Sequence, residues 1–271
     1  MRLMRQIPAA LAALCLCSTS FAEQLQPTGE WTVSTAPNHC VLSRSYGTVK
    51  RPLTLNFQKM PLRRDSELVI VTKSRGLPPT GADAEVRAGT AKTHGSHVIA
   101  YDAVGGIRRA AVGLEREVID AAAASPDLTI HMPGEINGDF AIPQFKAAYE
   151  ALDACAMQLG KSWGIPIEHQ KQVKQEVATI GPAGTYFGPE DYPRRAELDR
   201  ASGVAAVQVS VDENGRATSC TIRPSTGIPS LDQTTCRIFM NRVRFKPALN
   251  LEGQRVASYY VNTISWLMID L

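Results

Sequence analysis

Apolar residues between positions 30 and 130 come in short alternating runs, broken by proline, glycine and charge. Trp31-Thr32-Val33, Cys40-Val41-Leu42, Leu53-Thr54-Leu55-Asn56-Phe57 and Leu68-Val69-Ile70-Val71 predict strands. His97-Val98-Ile99-Ala100-Tyr101 and Leu128-Thr129-Ile130 are further strand candidates. A short helix is expected over residues 114–124, ended by Ser125-Pro126. The period then changes. Across residues 143–163, Phe145, Ala148, Leu152, Cys155 and Leu159 recur at helical spacing and make one apolar stripe. Pro143 suits the first turn, where its missing N–H would have no helical partner. Ile180-Gly181-Pro182-Ala183-Gly184 and Gly188-Pro189 are turn-rich, so residues 179–191 read as a linker between two domains.

Beyond that linker, residues 192–202 can form a helix that ends at Gly203. Ala205, Val207, Val209 and Val211 alternate as on a strand, and Asp212-Glu213-Asn214-Gly215 supplies a hairpin turn. Residues 217–223 return antiparallel. Ser230 with Gln233 reads as a capping box for a second helix with Leu231, Ile238 and Phe239 on its apolar face. A long last strand over residues 256–268 carries Tyr259, Tyr260, Val261 and Trp266. The chain is therefore expected to be α+β. A mixed domain (23–178) precedes a domain (192–271) with a three-stranded antiparallel sheet and two helices.

The second domain carries an ordered series of motifs. These are Tyr192-Pro193-Arg194-Arg195-Ala196, Gly203, the alternating valines, the Asp212 to Gly215 turn, Ser225-Thr226-Gly227, Leu231-Asp232 and Arg244-Phe245-Lys246-Pro247-Ala248. In order and spacing it resembles the C-terminal domain of the TonB family, the periplasmic end of the bacterial energy transducer. The resemblance implies the same small sheet with two helices. It also implies a protein partner, a short segment of an outer-membrane receptor, bound by strand addition. Thr234-Thr235 stands where the family often has two alanines, and Val243 where an aromatic is common. A long Pro-rich spacer is absent between the two domains. The binding role therefore transfers better than the energy-transducing one. In the first domain, Trp31, the Cys40-x-Leu42-x-Arg44 element and the Leu152-x-x-Cys155 helix with Trp163-Gly164 behind it are similar to N-terminal regions of exported TonB-like proteins. That likeness transfers no function.

The first residues change the picture of where the protein works. Arg2 and Arg5, an apolar run from Ile7 to Cys17, and Ser20-Phe21-Ala22 read as a signal peptide covering residues 1–22. The run is too short for a membrane span, which takes ~20 apolar residues. Cys15 and Cys17 would suit a lipoprotein signal, but Leu14 and Leu16 precede them where a small residue is expected. Export to the periplasm implies an oxidising compartment. Of six cysteines, Cys40, Cys155, Cys220 and Cys236 then remain, an even number that fits two disulfides. Cys155 on the helix stripe suits Cys40 on a strand of the same block. Cys236 on the second helix suits Cys220 on the strand beneath it. No Cys-x-x-Cys pair argues for zinc. The formal charge of +3 falls to +1 without Arg2 and Arg5, and no basic stripe interleaved with aromatics suggests nucleic acid.

Catalytic signals are weak. Asp83, Glu85, His94, His97 and Asp102 cluster in sequence and could serve an envelope enzyme, but their spacing selects no reaction. His94 and His97 flank Gly95-Ser96, which favours a turn over a shared metal-binding helix face. No nucleophile elbow, phosphate loop or His-Glu-x-x-His helix occurs, and no metal or cofactor is expected. Arg242, Arg244 and Lys246 suit the carbonyl end of the second helix. The favoured expectation is a non-enzymatic, periplasmic protein-binding module. Its last strand, with Tyr259, Tyr260, Val261 and Trp266, would form the partner-binding edge, and self-pairing into a homodimer through that strand is the structural alternative. Mass spectrometry of the exported protein should show cleavage after Ala22. A mature chain that keeps Met1, or starts at an acylated cysteine, would contradict this reading.

Overall fold

The computed structural model describes residues 24–73, 83–94, 99–103 (as backbone), 107–132 and 136–268. The expected signal segment and His97 lie outside the described residues.

The first block opens with β1 (Thr32–Thr35), β2 (Cys40–Thr48), β3 (Arg51–Lys59) and β4 (Ser66–Thr72). It continues through β5 (Glu85–Ala88), β6 (Ala91–Lys92), β7 (Ile99–Ala103), β8 (Ile107–Leu114), α1 (Arg116–Ala124), β9 (Asp127–Met132), β10 (Ile136–Ala141) and α2 (Phe145–Ser162). Antiparallel pairing gives one sheet of order β1-β2-β3-β4-β8-β7 and another of order β10-β9-β5-β6. Alternation explains the inner faces: Cys40, Leu42, Arg44 and Tyr46 of β2 all point inward. Leu42, Leu55, Phe57, Leu68 and Ile70 of the first sheet meet Val86, Leu128 and Ile130 of the second in one core.

The buried Arg44 is satisfied by backbone. Its guanidinium donates to the carbonyls of Gly29 (3.0 Å) and Pro143 (2.7 Å) and lies 5.0 Å from the Trp31 ring centre. Beside it, the Cys40–Cys155 disulfide ties β2 to α2 across 115 residues of chain. Closing a loop of that length removes ~4–5 kcal/mol of unfolded-state entropy. The stripe of α2 is rotated from the expected one. Phe145, Tyr149, Leu152, Ala156 and Gly160 are buried, while Ala148, Cys155 and Leu159 flank the core half-buried. Periodicity alone favours the larger aliphatic residue at each turn. Tyr149 is turned inward by Ser66 (2.6 Å) and the buried Lys59 (3.3 Å), which bond its hydroxyl.

The second block begins with α3 (Ile167–Gln172), β11 (Val173–Gln175) and β12 (Ala178–Thr179). It continues through α4 (Arg194–Leu198), β13 (Gly203–Val211), β14 (Ala217–Ile222), α5 (Pro229–Asn241), β15 (Phe245–Lys246), β16 (Ala248–Asn250), β17 (Arg255–Val256) and β18 (Ser258–Trp266). The main sheet has the order β14-β13-β18 and is antiparallel throughout. One face carries Val207, Val209 and Val211 and is covered by Leu231, Ile238 and Phe239 of α5. Each such side chain contributes ~1.5–3 kcal/mol on burial. The Cys220–Cys236 disulfide joins α5 to β14. Its 16-residue separation corresponds to ~3 kcal/mol.

Four expectations change. Residues 179–191 are packed structure, with two short 3-10 turns at Ala183–Tyr186 and Pro189–Asp191 and the Phe187 ring against Phe239 and Trp266. Glycine and proline there shape tight turns, not a loose joint. The helix expected over residues 192–202 is only Arg194–Leu198. The capping box at Ser230 and Gln233 does not form. α5 starts at Pro229, which puts Ser230 inside the first turn. The end is secured instead by Asp232, whose carboxylate accepts from Ser225 Oγ, Thr226 N and Thr226 Oγ1. That network gives the Ser225-Thr226-Gly227 and Leu231-Asp232 motifs their physical role. Finally, the last strand is interrupted at Ala257, with β17 turning away to pair with β16.

Val173 and Val177 of the segment around β11 belong to the second core, and β11 and β12 pair with β16 and β15. A fragment of residues 173–271 should therefore unfold cooperatively. One of residues 179–271 should lose ~2 kcal/mol or more, because it lacks two buried valines. Urea unfolding of both fragments by circular dichroism checks this; equal stabilities would show that the second core ends at the expected linker.

Candidate protein-binding edge

β18 lies at the margin of its sheet. Among the described residues it pairs with β13 alone, in register from Gly203↔Trp266 to Val211↔Ser258. The hydrogen-bonding sense can be assigned. Arg223 N–H donates to Ala206 O (2.6 Å), so Ala206 faces β14. Alternation then turns Ala205, Val207 and Val209 toward β18, opposite Ile264, Asn262 and Tyr260. Val261, Thr263 and Ser265 consequently aim their backbone groups outward. Consistent with this, the Thr263 N–H is bonded to the Asn262 side-chain oxygen (2.9 Å) and not to β13. Asn262 in turn donates to Tyr260 Oη (2.7 Å), so one carboxamide covers part of the open flank.

The aromatic side chains of this strand are mostly engaged inside. Tyr260 packs on Phe239 and Phe245 at centroid distances of 5.8 and 5.4 Å. Trp266 donates from Nε1 to the fully buried Thr235 Oγ1 (2.9 Å) and meets Phe187 and Tyr192 edge-on. Val261 is buried on the opposite face, and Tyr259 is half-buried. The edge therefore offers backbone and not a row of free rings. Beside its C-terminal half runs a groove of about 390 Å³, lined by Ala183, Gly184, Phe187, Tyr192, Ile264 and Trp266 among others. The wall opposite β18 is anchored by Asp191. Its buried carboxylate accepts from Gly188 N–H (3.0 Å) and pairs with Arg242 (2.6 Å) and Arg237 (3.7 Å). The Gly188 N–H and then Arg242 hold its pKa below the ordinary carboxylate value.

Residues 189–268 match the family described as Gram-negative bacterial TonB protein C-terminal. Residues 189–268 of the second block are thus a TonB C-terminal domain, and the match spans under a third of the 271-residue chain. No curated protein matches the chain. The motifs of the TonB domain explain themselves in this geometry. Tyr192 donates its hydroxyl to Ala201 O, Phe245 and Ala248 are core residues, and Gly215 at φ 79° turns so tightly that a Cβ would strike the Phe245 carbonyl. Thr235, a departure from the family's alanine, holds Trp266. That signal was visible in sequence only as a mismatch.

A second cavity, of about 870 Å³, lies between the first block and the TonB domain. Arg63, Arg64 and Arg116 line one side; Lys174, Glu176 and Tyr260 line the other. Arg63 is held by Asp65. Burial pushes the Glu176 carboxyl up to about 7; Arg63, Lys59 and Arg64 oppose the rise and Asp65 adds to it. Nearby, His169 of α3 bonds Ser258 Oγ (2.9 Å) and meets the Tyr259 ring edge-on, and burial lowers its pKa. No sequence pattern pointed to this cavity, because its two walls come from distant parts of the chain.

The other candidate residues that the structure describes have separate surroundings. Glu85 is tied to Arg87 (2.8 Å) and Lys92 (3.4 Å), Asp83 precedes β5, and His94 donates its backbone N–H to Glu115 (3.4 Å). Asp102 is described as backbone within β7. Arg244 donates to the carbonyls of Asn241, Arg242 and Val243 at the end of α5, whereas Arg242 serves Asp191. Among the described residues no group of His, Cys, Asp and Glu could hold a metal ion, and no helix is long and apolar enough to cross a membrane.

The folded protein holds a proton on Glu176 that the unfolded chain releases at lower pH. That contribution is full below the ordinary glutamate range and is lost as the pH rises through about 7. Glu176→Gln should therefore flatten the fall in stability between pH 5.5 and pH 8 and raise stability at pH 8. Urea titrations of both proteins at the two pH values test this; parallel pH profiles would place the titration elsewhere.

Proposed function

We propose that this is an exported envelope protein that binds an extended segment of a protein partner by adding it as a fourth strand to the sheet of the TonB domain, beside β18. The observation that carries the reading is the flank of β18. Of its three outward-facing backbone positions, Thr263 and Ser265 line a preformed groove whose far wall carries Phe187 and Tyr192. An unpaired edge of this kind is a template for one more strand. The partner class follows from the family: a short segment of an outer-membrane receptor, met in the periplasm. The proposal concerns binding and not the passage of force. It also prefers binding to catalysis, because Glu85 is tied up in surface ion pairs and the His94 backbone N–H in a contact with Glu115. The expected edge residues Tyr259, Tyr260, Val261 and Trp266 act here mainly by holding the strand in place.

Thr263→Pro removes one outward N–H without taking a bond from β13. With a photo-crosslinking amino acid at Ser265, the parent protein should label an envelope protein. Thr263→Ser should label it nearly as well. A folded Thr263→Pro variant should bind tenfold or more weakly, a loss of ~1.4 kcal/mol. Labelling of a second copy of the chain would identify self-pairing, and equal labelling by the proline and serine variants would remove this edge from consideration.

A further inference from the structure

The groove beside β18 and the cavity between the two blocks adjoin. Both are lined by Ala183 and Asn262. One end, around Phe187, Tyr192 and Trp266, is apolar. The other, past Tyr260, is charged and is completed by the first block. Resting on the strand-addition reading, we infer that the first block and β11 supply the specificity half of the peptide site. The segment it takes carries an apolar residue at one end of the paired stretch and an acidic residue at the other.

The charge balance of the cleft supports an acidic occupant. Arg63 is neutralised by Asp65, and Arg116 by Asp120 on its own helix. Arg64 and Lys174 are exposed, line the cleft and make no ion pair with a described residue. Glu115 and Glu176 also face the cleft. Glu176, with a pKa of about 7, carries only part of its charge at neutral pH, so it opposes an incoming carboxylate weakly. The loop that presents Arg63 and Arg64 turns at Leu62, a non-glycine residue at φ 62°. That left-handed conformation, unfavourable for a residue with a Cβ, fixes where the two arginines emerge. From Tyr260 to Trp266 is six residue steps of β18, ~20 Å at strand rise. The acidic and apolar positions of the occupant should thus lie about four to six residues apart.

The mature full-length protein can be tested by fluorescence anisotropy with labelled nine-residue peptides. One half alternates Val and Thr, the other Glu and Thr, and both orders are made. Matched peptides replace Glu by Gln or by Lys. In one of the two orders, the Glu peptide should bind at least tenfold more tightly than the Gln peptide at low salt, with the advantage shrinking as salt is added. The order that binds reports whether the added strand is parallel or antiparallel, and either supports the inference. The Arg64→Glu, Lys174→Glu double variant changes only exposed side chains. It should abolish the Glu advantage and favour the Lys peptide. Equal binding of Glu and Gln peptides, or an undiminished Glu advantage in the double variant, overturns the inference. Strand addition itself then stands if Thr263→Pro still weakens every peptide. Binding that ignores Thr263→Pro, or no binding by any peptide, overturns the strand-addition reading and this inference with it.

Discussion

A strand bonded on one side only must be kept in place by its side chains. In this protein that constraint falls on Trp266. Its indole N–H is bonded to Thr235 in the middle of α5, and its ring is boxed by Phe187 and Tyr192. Tyr260 does the same six residues earlier through Phe239 and Phe245. The aromatic payload of β18 is spent inward, which leaves its outer flank as backbone covered in part by the Asn262 carboxamide. An edge built this way can be both well ordered and open to pairing.

The same contacts shape the groove. Phe187 can reach Trp266 only because residues 183–191 fold back over the sheet, and Asp191 holds them there through Gly188, Arg242 and Arg237. The carboxylate is buried, yet it is satisfied by one N–H and two guanidinium groups, so the charge is tolerated. What reads in sequence as a flexible joint is therefore the second wall of the groove beside β18. Its turn residues make the wall compact.

The first block is stabilised separately. Arg44, sandwiched between Trp31 and the carbonyls of Gly29 and Pro143, and the Cys40–Cys155 disulfide fix α2 against β2. Its own core shares no residue with the core of the TonB domain. The two meet at a charged cleft where Arg63, Asp65, Glu176 and Tyr260 face one another. Such an interface is charged, unlike the apolar cores on either side.

Much of this was legible in the chain. Alternating valines, an Asn-Gly turn and the ordered motifs from Tyr192 to Ala248 are local signals, and local signals determine strand, turn and family without help from distant residues. The cysteine partners were legible too, because each block holds one cysteine on a strand and one on a helix. Local pattern could not show which face of α2 turns inward, since a buried lysine decides it. Nor could it show that Asp232 and not Ser230 organises the start of α5, that residues 179–191 pack as a wall, or that β18 spends its aromatics on the core. The Asp232 network spans only six or seven residues but rests on a turn geometry that composition does not reveal; the others depend on partners tens of residues away. The cleft between the blocks exists only when Arg63 and Lys174 are brought together. Sequence determined the elements and the kind of domain; tertiary structure decided the site, because a site is made of contacts that chain order does not encode.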